Sequence, residues 1–278
     1  MIRLNQLTFG YDRRHILFED LTMNLLSGHI YGLLGKNGAG KSSLLRNMAG
    51  LLFPLSGHVE INGHIPGKRL PAFLQDLYFI PEEIYLPPVT IDRYLDIMAP
   101  FYPRFDERQF RDYIREMDIP EKNKLDGMSY GQRKKVIIAF SLATNCRVLL
   151  MDEPTNGLDI PSKSQFRKIV SSALESDRTI LISTHQVRDL DNLIDGIIIL
   201  ENSEILVHHS LESVSERLYF GTVPDVGSDP YVLYAAPSFY GYKAVSENPD
   251  RQESRVDLEH LFHAAIENPA RIKQLFQP

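Results

Sequence analysis

Between residues 147 and 200 three strongly apolar runs, VLLM, TILIS and GIIIL, alternate with polar segments of helix length. A strand that is apolar at nearly every position has both faces buried, and a parallel sheet covered by crossover helices is the architecture that buries both. The pattern predicts an α/β core. Upstream, to about Gly63, the runs RLNQLTF, HIYGLL and HVEI are separated by turn residues, and one helical pattern follows Lys41, so this part reads as sheet plus one helix.

The character changes between Pro81 and Lys124. There Ile91, Tyr94, Leu95 and Met98, then Phe110, Tyr113, Ile114 and Met117, recur at helical spacing. The last part of the chain is rich in Pro, Tyr and Ser and ends in VDLEHLFHAAIENP, an amphipathic pattern with Asp257 placed to cap a helix. Its stripe of Leu258, Leu261, Phe262, Ala265 and Ile266 suits packing on its own domain, with a contact between protomers as the competing use. The expected division is a core formed by 1–84 and 125–215, a helical insert at 85–124 and an accessory extension at 221–278.

A net charge of −6 leaves no basic surplus to neutralise a phosphate backbone, so nucleic acid is not an expected partner. The single cysteine, Cys146, excludes an intrachain disulfide and argues against zinc or redox chemistry. No segment approaches the roughly 18 apolar residues that cross a bilayer. A cytoplasmic chain with no direct membrane insertion is expected, and work at a membrane would require docking onto another protein.

Chemistry enters at GKNGAGKS, Gly35–Ser42, which matches G-x-x-x-x-G-K-[ST] and lies between an apolar run and a helical pattern. Glycines let backbone N–H groups curl around phosphate oxygens, and the following helix turns its N-terminus to the anion. Asn37, Gly38, Ala39, Gly40, Lys41, Ser42 and Ser43 are therefore expected on a nucleoside triphosphate. Lys41 would reach the outer phosphates and the Ser42 hydroxyl would ligate Mg²⁺. A second signal is VLLMDEP, a buried strand ending in Asp152 and Glu153. Asp152 suits a Mg²⁺ ligand, and Glu153 suits the base that orients or deprotonates a water attacking the γ-phosphate.

With these motifs in order, the chain resembles the ATP-binding cassette ATPases from about Ile2 to Leu211, and more closely the ATP-binding subunits of bacterial export-type transporters. The resemblance implies a P-loop core with a mixed or parallel sheet, ATP and Mg²⁺ as ligands, and hydrolysis to ADP and phosphate with Lys41, Glu153 and His185 as catalytic residues. Tyr11 resembles the aromatic that stacks on adenine. Ser129, Gly131 and Gln132 in MSYGQ resemble the signature motif, NGLD ending at Asp159 resembles the D-loop, and His185 in ISTH matches the switch histidine. In such proteins the signature of one protomer completes the nucleotide site of the other. A homodimer, or a heterodimer with a related cassette subunit, is therefore implied. Implied too is an integral membrane partner that holds the chain at the inner face of the cell membrane.

Two positions depart from the family pattern. Tyr130 stands where a glycine is usual, which would strain the backbone if that position required positive φ. Glu82 in FIPEE occupies the place of a glutamine, and as a charged oxygen donor it is expected to touch the metal directly. The tetrapeptide NKLD, 123–126, matches a guanine-reading motif by spelling alone, because it follows an amphipathic helix instead of a buried strand. One cradle per chain and the lack of long coiled-coil or zinc-binding insertions favour transport over translation or DNA repair. Residues PFYPRFDERQF and VDLEHLF resemble segments of export-type subunits, in which a membrane helix would dock near aromatics such as Tyr85, Tyr94, Phe101 and Tyr102; that these aromatics are core is the equally weighted alternative. The alternative is a non-transport cassette ATPase that acts as a nucleotide-dependent switch.

Overall fold

Each apolar run assigned to the parallel core forms a strand of a single sheet in the computed structural model, which describes residues 1–12, 14–121, 123–227 and 230–276. Of the extension drawn at 221–278, positions 228, 229, 277 and 278 lie outside the described residues. The chain begins with β1 (Ile2–Asp12), β2 (His15–Leu25), β3 (His29–Leu34), α1 (Lys41–Met48) and β4 (Ser56–Ile61). It continues through α2 (Pro71–Leu74), β5 (Leu77–Ile80), α3 (Ile91–Met98), α4 (Glu107–Glu116) and α5 (Tyr130–Ala143). Next come β6 (Val148–Asp152), α6 (Ile160–Ser172), β7 (Thr179–Thr184), β8 (Gly196–Glu201) and β9 (Glu204–Ser210). The chain closes with α7 (Leu211–Arg217), β10 (Leu218–Val223), β11 (Val232–Ser238), β12 (Gly241–Glu247), α8 (Leu258–Glu267) and α9 (Pro269–Phe276).

The central sheet has the order β5-β6-β7-β3-β8-β9. All its neighbours are parallel except the β8–β9 pair. Side chains alternate between two cores with the period of two that a strand imposes. In β6, Val148 and Leu150 enter one core while Leu149 and Met151 enter the other, and β8 divides Ile198 and Leu200 from Ile197 and Ile199 in the same way. Full burial of each such side chain stabilises the fold by roughly 1.5–3 kcal/mol. The first core is closed by α1 and the antiparallel sheet β2-β1-β4, and the second by the helical insert, α5 and the C-terminal elements.

The insert forms around Phe140 of α5, whose ring lies 5.2 Å from Tyr94, 5.1 Å from Phe105 and 5.9 Å from Tyr102. Thr90 and Asp106 cap α3 and α4 by accepting from the Arg93 and Gln109 amides. Of the two uses open to these aromatics, the core takes Tyr94, which is buried, and Tyr102 in part, while Tyr85 (84 % exposed) and Phe101 (62 % exposed) stand on the surface and Tyr102 keeps one side on a groove beside β5. The NKLD segment lies partly in a 3-10 turn at Leu125–Gly127, not at a strand end.

Antiparallel sheet β10-β12-β11 starts at Leu218, so the division drawn at 221 falls inside β10. Asp257 caps α8 by accepting from the His260 amide, and Leu258, Leu261, Ala264 and Ala265 are buried in the same core as the insert. The apolar stripe of α8 is thus used within the chain, and its competing use between protomers is not available to these buried residues.

Candidate functional site

The strand order brings the C-terminal ends of β5, β6, β7 and β3 side by side. Each end carries one of the marked segments: Glu82 follows β5, Asp152 and Glu153 end β6, His185 follows β7, and the glycine loop follows β3. In open α/β sheets ligands bind at this edge. A cavity of about 630 Å³ opens there, lined by Tyr11, Leu17, Asn37, Gly38, Gly40, Lys41, Ser42, Ser43, Glu82, Glu153, Asn156 and His185.

The loop curls because Gly38 (φ +85°) and Gly40 (φ +101°) adopt left-handed backbone, which costs other residues about 1–2 kcal/mol. At Gly40 a Cβ would also lie 2.6 Å from the Phe18 ring, whereas at Gly38 it would meet open space. Lys41 folds back over the loop, and its Nζ donates to the Gly35 carbonyl at 2.8 Å and the Lys36 carbonyl at 3.2 Å. Burial pushes its pKa down, and the Glu153 and Asp152 carboxylates oppose that shift. The Ala39 amide donates to the Lys36 carbonyl at 3.1 Å, and Ala39 is not among the residues that line the cavity.

Glu153 is the centre of the site. Its Oε1 accepts from His185 Nδ1 at 2.8 Å and from the His185 amide at 3.0 Å, and lies 3.9 Å from Lys41 Nζ. Its Oε2 accepts from Thr184 Oγ1 at 3.1 Å. An ionised carboxylate only accepts, so Nδ1 carries the imidazole proton in this contact. The Glu153 backbone is left-handed (φ +46°), a conformation that costs a residue with a side chain on the order of 1–3 kcal/mol and clusters at functional sites. Its amide donates to the Ser183 carbonyl at 3.1 Å and its carbonyl accepts from Lys134 Nζ at 2.7 Å.

Asp152 is fully buried behind this carboxylate and does not line the cavity. Ser183 Oγ donates to its Oδ1 at 2.6 Å, while Oδ2 is buried without a hydrogen-bond partner among the described residues. A buried unpartnered carboxylate oxygen is costly. It is an oxygen donor of the kind Mg²⁺ takes, as are the Ser42 hydroxyl and the Glu82 carboxylate that line the cavity. Glu82 lines the cavity and Glu83 does not; Glu82 Oε1 accepts from Asn156 Nδ2 at 3.2 Å.

Tyr11 stands at the rim, 66 % exposed, with its hydroxyl 2.8 Å from Ser43 Oγ and its ring edge-on to Phe9. Ser129, Gly131, Gln132 and Asp159 do not line this cavity. Ser129 and Gln132 form a reciprocal capping box at the start of α5, and Asp159 caps α6 by accepting from the Ser162 amide at 2.9 Å. The backbone strain considered for the signature does not arise, since neither Tyr130 nor Gly131 has positive φ.

Sequence reasoning missed Leu17, Asn156, Lys134, Ser183 and Thr184. Ser183 and Thr184 were within reach, because they immediately precede His185 on the strand paired with β6. Lys134 carried a weaker sign, its place one helical turn beyond Tyr130.

A family described as ABC transporter matches residues 18–156, half of the chain. The ABC transporter ATP-binding protein YtrB of Bacillus subtilis (strain 168) is 29 % identical over 219 residues, covering 78 % of this chain and 74 % of YtrB. The ABC transporter ATP-binding protein NatA of the same organism is 30 % identical over 209 residues, covering 71 % of this chain and 83 % of NatA. Among solved structures, the dimeric post-hydrolysis state of the ATP-binding cassette MJ0796 bound to ADP and Pi superposes with a TM-score of 0.67. At 23 % identity, covering 76 % of this chain and 99 % of that one, this likeness concerns the fold.

Proposed function

The chain belongs to the ABC transporter family as an ATP-binding subunit, and from that premise we propose that it hydrolyses ATP with Mg²⁺ to power an export-type transporter. The observation that carries the reading is the convergence of Lys41, Glu153 and His185 at one sheet edge, with Glu153 Oε1 3.9 Å from Lys41 Nζ and 2.8 Å from His185 Nδ1. The division into a core of 1–84 and 125–215, an insert at 85–124 and an extension drawn at 221–278 is part of the same proposal, with the extension's boundary moved to the start of β10 at Leu218.

In this reading the loop amides of Asn37, Gly38 and Gly40 receive the phosphates while Lys41 turns from the Gly35 and Lys36 carbonyls to the γ-phosphate. Tyr11 offers its exposed ring to the adenine. Glu153 holds the attacking water and takes its proton, with its orientation set by the Thr184 and His185 bonds. His185 contacts the γ-phosphate. Ser42, Asp152 and Glu82 would hold Mg²⁺, which supplies positive charge to the developing phosphate oxygens. Ser129, Gly131, Gln132 and Asp159 lie outside the cavity of their own chain and are assigned to the site of a second protomer in a homodimer or a heterodimer. Glu82→Gln tests the metal assignment: the Mg²⁺ concentration for half-maximal turnover should rise roughly fivefold, the equivalent of about 1 kcal/mol in one charge-assisted contact. An unchanged midpoint rejects direct contact.

No helix among the described residues is long and apolar enough to cross a membrane. The membrane partner is assigned to a groove of about 480 Å³ beside β5 and the insert, lined by Leu51, Leu74, Leu77, Phe79, Phe101 and Tyr102. Its apolar walls suit the apolar face of a helix from an integral membrane subunit. The chain would then work as a cytoplasmic, peripheral protein at the inner face of the membrane. Relatives named as transporter subunits give no support to the alternative of a non-transport switch.

One experiment tests the reading as a whole. From detergent-solubilised membranes the wild-type chain should retain an integral membrane subunit and Phe101→Asp should not, while both purified chains release phosphate from Mg·ATP at the same rate. Wild-type protein that retains no membrane subunit, or releases no phosphate, overturns it.

A further inference from the structure

We propose that Lys134 and Tyr130 are positioning residues that clamp the Glu82 segment to the Glu153 end of β6, acting on hydrolysis and not on nucleotide binding. This rests on the ATPase reading above and adds a device to the same site.

Residues four apart on a helix share one face. On α5 that face carries Tyr130 and Lys134 toward the ends of β5 and β6. The Tyr130 hydroxyl donates to the Glu82 carbonyl at 2.8 Å. Lys134 Nζ donates to the same carbonyl at 3.1 Å and to the Glu153 carbonyl at 2.7 Å. The ammonium therefore bridges two segments 71 positions apart in sequence, and it lies 5.7 Å from the centre of the Tyr130 ring.

Lys134 is 0 % exposed, and burying an ammonium is unfavourable unless its protons are received. An apolar side chain would fill the space with less penalty, but it would remove the bridge, leaving the Glu82 carbonyl to the Tyr130 hydroxyl and the Glu153 carbonyl to the Asn156 amide at 3.2 Å. Those carbonyls belong to the residue assigned to the metal and to the residue assigned as base. The Glu153 carbonyl also closes a left-handed peptide unit, so a donor fixed on it stabilises the backbone turn that aims the carboxylate into the cavity.

The remaining contacts complete the clamp. Tyr130 packs against Gly157, where a Cβ would come within 3.0 Å of the ring, and Asn156 Nδ2 donates to the Glu82 side chain at 3.2 Å. Glu82 is thus held from the helix by its carbonyl and from the 156 turn by its carboxylate. The tyrosine that stands in place of the usual signature glycine reaches the main-chain carbonyl of Glu82, and the Glu82 carboxylate is held separately by Asn156. Tyr130 thereby ties the signature helix to the Glu82 segment within a single chain, through the main chain.

The test compares wild type with Tyr130→Phe, Lys134→Met, Lys134→Arg and the Tyr130→Phe/Lys134→Met pair, measuring kcat, KM, binding of a fluorescent ATP analogue and Tm. Lys134→Met should lower kcat about 10²-fold, the scale of a small misplacement of a catalytic group, with KM and analogue affinity unchanged. Tyr130→Phe should lower kcat by about 2- to 10-fold, the loss of one neutral hydrogen bond. Lys134→Arg, which can still donate to both carbonyls, should recover most of the rate. The double variant should fall short of the product of the single effects, because both act on the Glu82 carbonyl.

Tyr130→Phe removes one oxygen from a partly exposed side chain, so it keeps the test decisive even if Lys134→Met fails to fold. Wild-type kcat in Tyr130→Phe, or losses confined to KM and nucleotide affinity, overturn the clamp. A wild-type chain with no ATP turnover instead overturns the ATPase reading on which the clamp stands.

Discussion

Glu153→Gln is expected to lower ATP turnover by about 10²- to 10⁴-fold, the usual contribution of a positioned general base, while leaving ATP bound. The amide has the shape of the carboxylate and keeps one acceptor oxygen. It cannot take a proton from water, and its NH₂ group cannot accept from both His185 and Thr184, which in the wild type bond to different oxygens of Glu153. With hydrolysis blocked, ATP should hold two protomers together across their composite sites. The mass in solution should therefore double with Mg·ATP and fall back without it. Unaltered turnover would remove Glu153 as the base, and a monomer with nucleotide bound would remove the symmetric dimer.

Lys41→Ala has the second largest expected effect, and on a different quantity. Charge-assisted hydrogen bonds contribute about 1.5–3 kcal/mol, so loss of the lysine should weaken ATP binding by roughly 10- to 150-fold. The buried Glu153 carboxylate would also lose the cation 3.9 Å away, which works against full recovery by relaxation. Titration with a fluorescent ATP analogue separates the two residues: Glu153→Gln should bind like wild type and Lys41→Ala should not. Wild-type affinity in Lys41→Ala would show that its contacts to the Gly35 and Lys36 carbonyls, and not phosphate, are its final state.

The site was legible in the sequence wherever chemistry is carried by neighbours along the chain. Gly38, Gly40 and Lys41 lie within four residues, Asp152 and Glu153 are adjacent, and Asp257 and Ser129 cap helices through amides three residues on. The bond from the Ala39 amide to the Lys36 carbonyl is a detail that spacing does not reveal. Strand β2 was missed because its alternation of buried and exposed residues is irregular, and it is held by an antiparallel partner whose register shifts repeatedly.

Other features depend on pairs that are remote in sequence. The sequence left open whether Tyr94 and Tyr102 serve the core or a partner, and Phe140 of α5 gathers them into its core. Lys134 acquires its place only when the fold sets it between the Glu82 and Glu153 carbonyls. The α8 stripe could have served a partner until the second core received it.

By itself the sequence determined the parallel α/β core, the phosphate loop and the two carboxylates at a buried strand end. Those follow from periodicity and local backbone demands, which act over a few residues. Only the tertiary structure decided which strand ends stand side by side, which aromatics are buried and which donors reach the Glu82 and Glu153 carbonyls. Such choices are made by close packing between segments tens of residues apart, where a contact exists only after strand order and helix placement have brought both partners together.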